Sequence, residues 1–138
     1  MIYSIGYQSA TIAQFIQTLK ENEIEVLVDV RTVAWSRNRV FKEKHLKFAL
    51  NKAHIGYIHE VNLGGKEGKR PEGYDEALTG LIALSESQKV AFMCLETDPE
   101  KCHRGKWITP DLLNKGVEVR HLFVNLSVSE NARLEQFG

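Results

Sequence analysis

The sequence predicts a single three-layer α/β domain, a mainly parallel five-stranded sheet with helices on both faces. Three observations carry this. Strand-like and helix-like stretches alternate from end to end, the pattern that builds parallel sheets through right-handed crossovers. Two of the strand-like runs, EVLVDV (Glu25–Val30) and VAFMCL (Val90–Leu95), are nearly continuous in apolar residues, as strands covered on both faces are. A chain of 138 residues with 43% apolar content suits one ordinary core. The expected arrangement is Rossmann-like or flavodoxin-like, one domain over residues 1–138 with residues 124–138 as a C-terminal extension.

Each element has its own signal. IYSIG (Ile2–Gly6) is the first strand. TIAQFIQTLKENE sets Ile12, Phe15, Ile16 and Leu19 on one helical face, with Thr11 or Ser9 as N-cap. Glu25–Val30 is the second strand. TVAWSRNR (Thr32–Arg39) has neither period and reads as an irregular loop. FKEKHLKFALNKAHIG follows as a helix with Phe41, His45, Leu46, Ala49 and Leu50 inward, ending at Gly56. YIHEV (Tyr57–Val61) is the third strand, and YDEALTGLIALSES a helix resting on Leu78, Leu81, Ile82 and Leu84. Val90–Leu95 is the fourth strand. CHRGKWITPDLLNKG is a helix kinked or split by Pro110 and closed by Gly116. VEVRHLF (Val117–Phe123) is the fifth strand, and VNLSVSENARLEQFG fits no further strand–helix unit.

Eighteen basic residues balance eighteen acidic ones, so no global field draws the protein to nucleic acid or membrane. No apolar run approaches the roughly 20 residues of a membrane span, and no membrane partner is expected. The opening MIYSIGYQS lacks the basic and apolar regions of a secretory signal, so a cytoplasmic location and reduced thiols are expected. Charge is uneven locally. From Arg31 to Lys47 stand Arg31, Arg37, Arg39, Lys42, Lys44 and Lys47 against Glu43 alone. Such a run is either a solvated helix face or a rim for an anionic ligand.

In a parallel sheet the C-terminal strand ends share one edge, where ligands bind. Tyr7 follows the first strand there, Asp29 and Arg31 end the second, Gly64 and Gly65 follow the third, and Cys94 and Glu96 end the fourth. Cys102, His103 and Arg104 come just after. Each also has a plainer role. Asp29 and Arg31 suit a buried ion pair, the glycines a turn at positive φ, and Cys94 a small core position. TDPEK reads as a helix start with Asp98 as N-cap. It sets Cys102–Arg104 near a positive helix end that lowers a thiol's pKa and attracts anions. Spacing excludes some chemistries. Six positions after Cys94 stands Glu100, where a cysteine phosphatase loop needs Arg, and no CxxC redox motif is present. Cys94 and Cys102 are too far apart for a structural zinc pair, so no metal site is expected. The expected site is a pocket surrounded by Arg31, Glu96 and Arg104, walled by Cys94 or Cys102, with the Cys94–Arg104 loop binding an oxyanion.

Taken in order, SIGYQS, LVDVR followed by WSRNRVF, IGYIHEVNLGGK, VAFMCLETDPEKCHR and GVEVRHL resemble the prokaryotic domain-of-unknown-function family numbered 488, from Ile2 to His121. The resemblance implies a compact α/β domain. It sets Asp29, Arg31, Ser36, Arg37, the Leu63–Gly65 turn, Cys94, Glu96, Cys102, His103 and Arg104 on motif positions, with Tyr7 where the first loop commonly carries His. It supplies no activity and names no cofactor.

The leading expectation is an enzyme acting on a phosphate-bearing or nucleotide-like substrate. Arg31, Arg37 and Arg104 would hold the anion, Asp29 or Glu96 would move the proton, and Cys102 or Cys94 would be the nucleophile. Tyr7, Ser36, Gly64, Gly65 and His103 complete the ligand-binding set. One alternative is a non-catalytic nucleotide or nucleic-acid module using Arg31–Lys47, with Trp35 and Phe41 as stacking faces. Another is a redox-sensing interaction protein in which Cys94 and Cys102 pair reversibly.

Overall fold

The computed structural model describes residues 1–65, 69–96 and 104–126, with only the backbone described at residues 104 and 105. Strands β1 (Ile2–Gly6), β2 (Val26–Asp29), β3 (Gly56–His59), β4 (Val90–Cys94) and β5 (Val119–Leu122) form one sheet in the order β3-β2-β4-β1-β5. Every neighbouring pair is parallel. The strands fall where the apolar runs lie: β1 keeps its expected bounds, β2, β4 and β5 are trimmed, and β3 begins one residue earlier, at Gly56. Val61, read as the close of the third strand, begins a 3₁₀ turn over Val61–Leu63 instead.

Alternation along each strand feeds two separate cores. On one face Tyr3, Ile5, Leu27, Ala91 and Met93 meet Phe15, Ile16 and Leu19 of α1 (Ile12–Glu21) and Leu46 and Leu50 of α2 (Glu43–Lys52). On the other, Ile2, Val26, Val28, Val90 and Phe92 meet Tyr74, Leu78 and Leu81 of α3 (Tyr74–Ser87) and Leu112 of α4 (Thr109–Asn114). The three-layer expectation is met, and β4 is the middle strand, buried throughout. Each fully buried Leu, Ile or Phe contributes about 1.5–3 kcal/mol. The buried hydroxyl of Ser4 is satisfied by the His121 ring on the adjoining β5.

Thr11, not Ser9, caps α1. Its hydroxyl accepts from Gln14 N at 3.1 Å while Gln14 Oε1 accepts from Thr11 N at 2.9 Å, a reciprocal capping box. The second helix ends earlier than expected, at Lys52, and His54 takes the left-handed turn at φ 62. Gly56 already lies in β3, where an added Cβ would stand 2.7 Å from Val26 Cγ2, so it answers close strand packing instead of ending a helix. His45, expected inward, is exposed. Pro110 acts as anticipated. It lacks an N–H and its ring conflicts with the carbonyl four residues back, so a wide π-type turn over Arg104–Ile108 precedes the short α4. Gly116 closes it at φ 79. Most of the C-terminal extension, residues 127–138, lies outside the described residues. Among the described residues no helix is long and apolar enough to cross a membrane.

Candidate functional site

The carboxyl ends of β1, β2 and β4 meet at one edge. Tyr7 N donates to Cys94 O at 3.3 Å, Gln8 N to Leu95 O at 2.9 Å and Val30 N to Met93 O at 3.2 Å. These bonds carry the sheet one step beyond its strands and hold the three following loops together.

At the centre of this edge sits an ion pair that is almost wholly buried. Asp29 is 0% exposed and Arg31 7%. Arg31 Nε donates to Asp29 Oδ1 at 2.9 Å and Nη2 to Oδ2 at 2.7 Å, a bidentate fork. Arg31 N also donates to Oδ1 at 3.1 Å, and Tyr57 OH donates to Oδ2 at 2.6 Å. The carboxylate thus accepts four hydrogen bonds. The remaining arm of Arg31, Nη1, reaches Phe41 O at 2.7 Å, Tyr7 OH at 3.2 Å and Trp35 O at 3.5 Å. One guanidinium therefore ties the 32–41 segment to the sheet at Trp35 and at its Phe41 end.

That segment is irregular from Thr32 to Asn38, as its sequence predicts, and then forms a 3₁₀ turn over Arg39–Phe41. Ser36 is buried, and its hydroxyl accepts from Asn38 N at 3.1 Å, which shapes the loop from inside. Arg37 and Arg39 are exposed, and Trp35 is 56% exposed with Lys42 Nζ 5.4 Å from its ring centroid. Phe41, considered above as a stacking face, is fully buried. It stacks on Tyr7 with centroids 4.4 Å apart, so it is a floor of the loop and offers no surface to a base. Tyr7 is buried in the same stack.

Residues on the neighbouring β3 complete the network and were missed by the sequence reading. His59 Nε2 donates to Arg31 O at 2.7 Å, and Glu43 Oε2 lies 3.2 Å from its Nδ1. Tyr57 and His59 pair in register with Leu27 and Asp29 and point to the same side. Period-two alternation along YIHEV was the available signal. The Tyr57 hydroxyl is pushed well above the ordinary 10.0 by burial and by its bond to Asp29. Tyr74, whose hydroxyl donates to Asp111 Oδ2 at 2.7 Å, is raised for the same two reasons. A phenol whose folded pKa is raised contributes stability in full below its unfolded value and loses it as pH climbs from there towards the folded value. Stability should therefore fall from about pH 10 upward, by up to about 1.4 kcal/mol per pH unit for each such tyrosine. Denaturant melts across that range check it. Tyr57→Phe should flatten the slope, and an unaltered slope would remove Tyr57 from the account.

Gly64 and Gly65 follow the 3₁₀ turn of Val61–Leu63. Gly64 does not use positive φ, since its φ is −74 and its ψ 152. It is a close-approach glycine. An added Cβ would stand 2.5 Å from Thr32 Oγ1 and 3.0 Å from both Thr32 Cα and Val61 O. Gly64→Ala should cost about 1–3 kcal/mol and push the Thr32 end of the loop outward. Thermal melts and loop amide shifts measure both. A melt equal to wild type would show that the contact yields freely.

On β4, Cys94 is buried in the core with Phe92 and Ile108, while Glu96 is half-buried just past the strand. Cys102 and His103 lie outside the described residues, as does the side chain of Arg104, and so do most of the expected Cys94–Arg104 anion loop and part of the expected pocket wall. Three clefts among the described residues are lined by neither Arg31 nor Glu96. One, of about 310 Å³, runs beside β3 over Val28, Ile58, Leu63 and Leu81, and two flank Arg70. Arg70 forms a bidentate pair with Asp111 at 3.0 and 3.2 Å and lies over the Tyr74 and Trp107 rings, latching the loop before α3 onto α4. Among the described residues no group of His, Cys, Asp and Glu is arranged to hold a metal ion.

Residues 11–77 match the model of a family described as Domain of unknown function DUF488, and the chain resembles that family. The matched span contains Asp29, Arg31, Ser36, Arg37, Gly64 and Gly65, whereas Tyr7, Cys94, Glu96, Cys102, His103 and Arg104 lie beyond it. No curated protein and no solved structure matches the chain.

Proposed function

We propose that this DUF488-like chain recognises a phosphate-bearing, nucleotide-like ligand at the carboxyl edge of its sheet. One observation carries the reading: the buried Arg31 guanidinium ties the carbonyls of Trp35 and Phe41 to Asp29, and so holds out a loop bearing exposed Arg37 and Arg39. A pre-ordered cationic loop loses little entropy on binding an anion, and guanidinium groups suit phosphate. Arg31 is engaged inward, so its part is to position the loop. Asp29, accepting four hydrogen bonds, is poorly suited to proton transfer. Glu96, at the end of the middle strand, is the better candidate for that role, and this makes catalysis on the bound ligand the fuller form of the reading. Calorimetric titration with pyrophosphate and a nucleotide panel tests recognition. Arg37→Ala with Arg39→Ala should weaken any binding found at least tenfold, and wild-type protein that binds no member of the panel overturns the proposal. Phosphate release from a bound nucleotide, lost in Glu96→Gln, would support the catalytic form.

A further inference from the structure

We infer, resting on the ligand reading above, that the natural partner is a single-stranded nucleic acid whose path continues from the loop down the outward face of α2. On that helix Leu46 and Leu50 face the core, and the opposite side presents Lys44, Lys47, Phe48, Asn51 and Lys52, all exposed. Lys44, Phe48 and Lys52 follow at intervals of four residues, so they form one stripe about 12 Å long. Phe48 is 66% exposed, with Lys52 Nζ 5.5 Å from its ring centroid. The stripe repeats what stands at the loop, where Lys42 lies over the Trp35 ring. Two solvent-facing rings, each with an ammonium over it, set stacking surface and phosphate-binding charge together. The acid of this stretch, Glu43, stands against the His59 ring of β3, with Oε2 3.2 Å from Nδ1.

Other anionic surfaces fit less well. A membrane-lying helix needs a broad apolar face, and the outward face of α2 has Phe48 as its single large apolar residue. A duplex keeps its bases stacked on one another, which leaves exposed rings without a role. With a formal net charge of +0, attraction depends on this local patch.

Fluorescence polarisation with a labelled single-stranded oligonucleotide tests the inference, run beside the matching mononucleotide, a duplex of the same sequence, and vesicles of mixed phosphatidylserine and phosphatidylcholine. The expected result is oligonucleotide binding at least tenfold tighter than mononucleotide binding, weakening as salt rises. Phe48→Ala should weaken oligonucleotide binding by roughly 5- to 150-fold, and Lys44→Glu with Lys52→Glu should reduce the salt dependence. All three positions are exposed, and thermal melts confirm that the variants fold. If the oligonucleotide binds no more tightly than the mononucleotide, or if Phe48→Ala leaves its affinity intact, this inference falls and the ligand reading stands. If neither binds, both fall. Equal affinity for the duplex, or binding to the vesicles in place of the oligonucleotide, also overturns it.

Discussion

Arg31→Ala should destabilise the protein by about 3–5 kcal/mol, measured by urea denaturation at neutral pH. The loss is larger than that of an ordinary ion pair because of what stays behind. Asp29 is 0% exposed, and three of its four hydrogen bonds come from Arg31. Removing the guanidinium leaves a buried carboxylate with only the Arg31 backbone N–H and Tyr57 as donors, and frees the carbonyl of Phe41. Asp29→Ala should cost a similar amount by stranding the guanidinium instead. Arg31→Lys should rescue little, since a single ammonium cannot reproduce the planar fork. Replacing both partners with apolar residues of similar volume should be far milder than either single change. A loss below about 1 kcal/mol for Arg31→Ala would mean that the pair is solvated and the loop is held by other contacts.

Phe41→Ala should cost about 3–5 kcal/mol, through lost burial and the cavity it leaves. Phe41 is fully buried, stacked on Tyr7 and edge-on to Phe15 with centroids 5.3 Å apart. Its ring joins the 32–41 segment to α1 and β1, and its carbonyl is the closest acceptor of Arg31 outside Asp29. The same substitution should therefore speed amide exchange across Thr32–Asn38 while exchange in β4 follows only the global loss of stability. Phe41→Leu, which keeps most of the volume, should cost about half as much or less. Uniform acceleration of exchange throughout the protein would show that the loop is not selectively anchored by this ring.

The fold was legible because its signals are strong and short-range. β4 is apolar throughout and β2 is apolar up to Asp29, and such runs have no stable place except inside a covered sheet. Thr11 or Ser9 as the cap of α1, Pro110 as the break in the last helix and Gly116 as its close could be read from local chemistry alone. What escaped depends on contacts distant in sequence. Nothing near Gly56 or Gly64 says that a neighbouring strand or loop will approach within a methyl's width, so both were assigned turn roles they do not have. Phe41 and Phe48 lie seven residues apart in a basic stretch and look alike as sequence, yet one is sealed against Tyr7 and the other faces solvent. Asp29 and Arg31 were recognisable as a pair, but the hydroxyl of Tyr57 that completes it comes from the next strand in space.

The strand order has a consequence for how the chain assembles. β2 and β3 can pair as soon as both leave the ribosome, but β1 has no neighbour except β4 and β5. The first strand made must wait, unpaired, until residue 94 has emerged. Then β4 inserts between two segments already present and joins both cores, which α4 and β5 complete. The stretch that matches the family model, residues 11–77, contains β2 and β3 but neither β1 nor β4. It is a recognisable sequence signature and not a folding unit. Nascent chains stalled short of β4 should be cut by protease throughout, and protection should appear in one step once the middle strand is available.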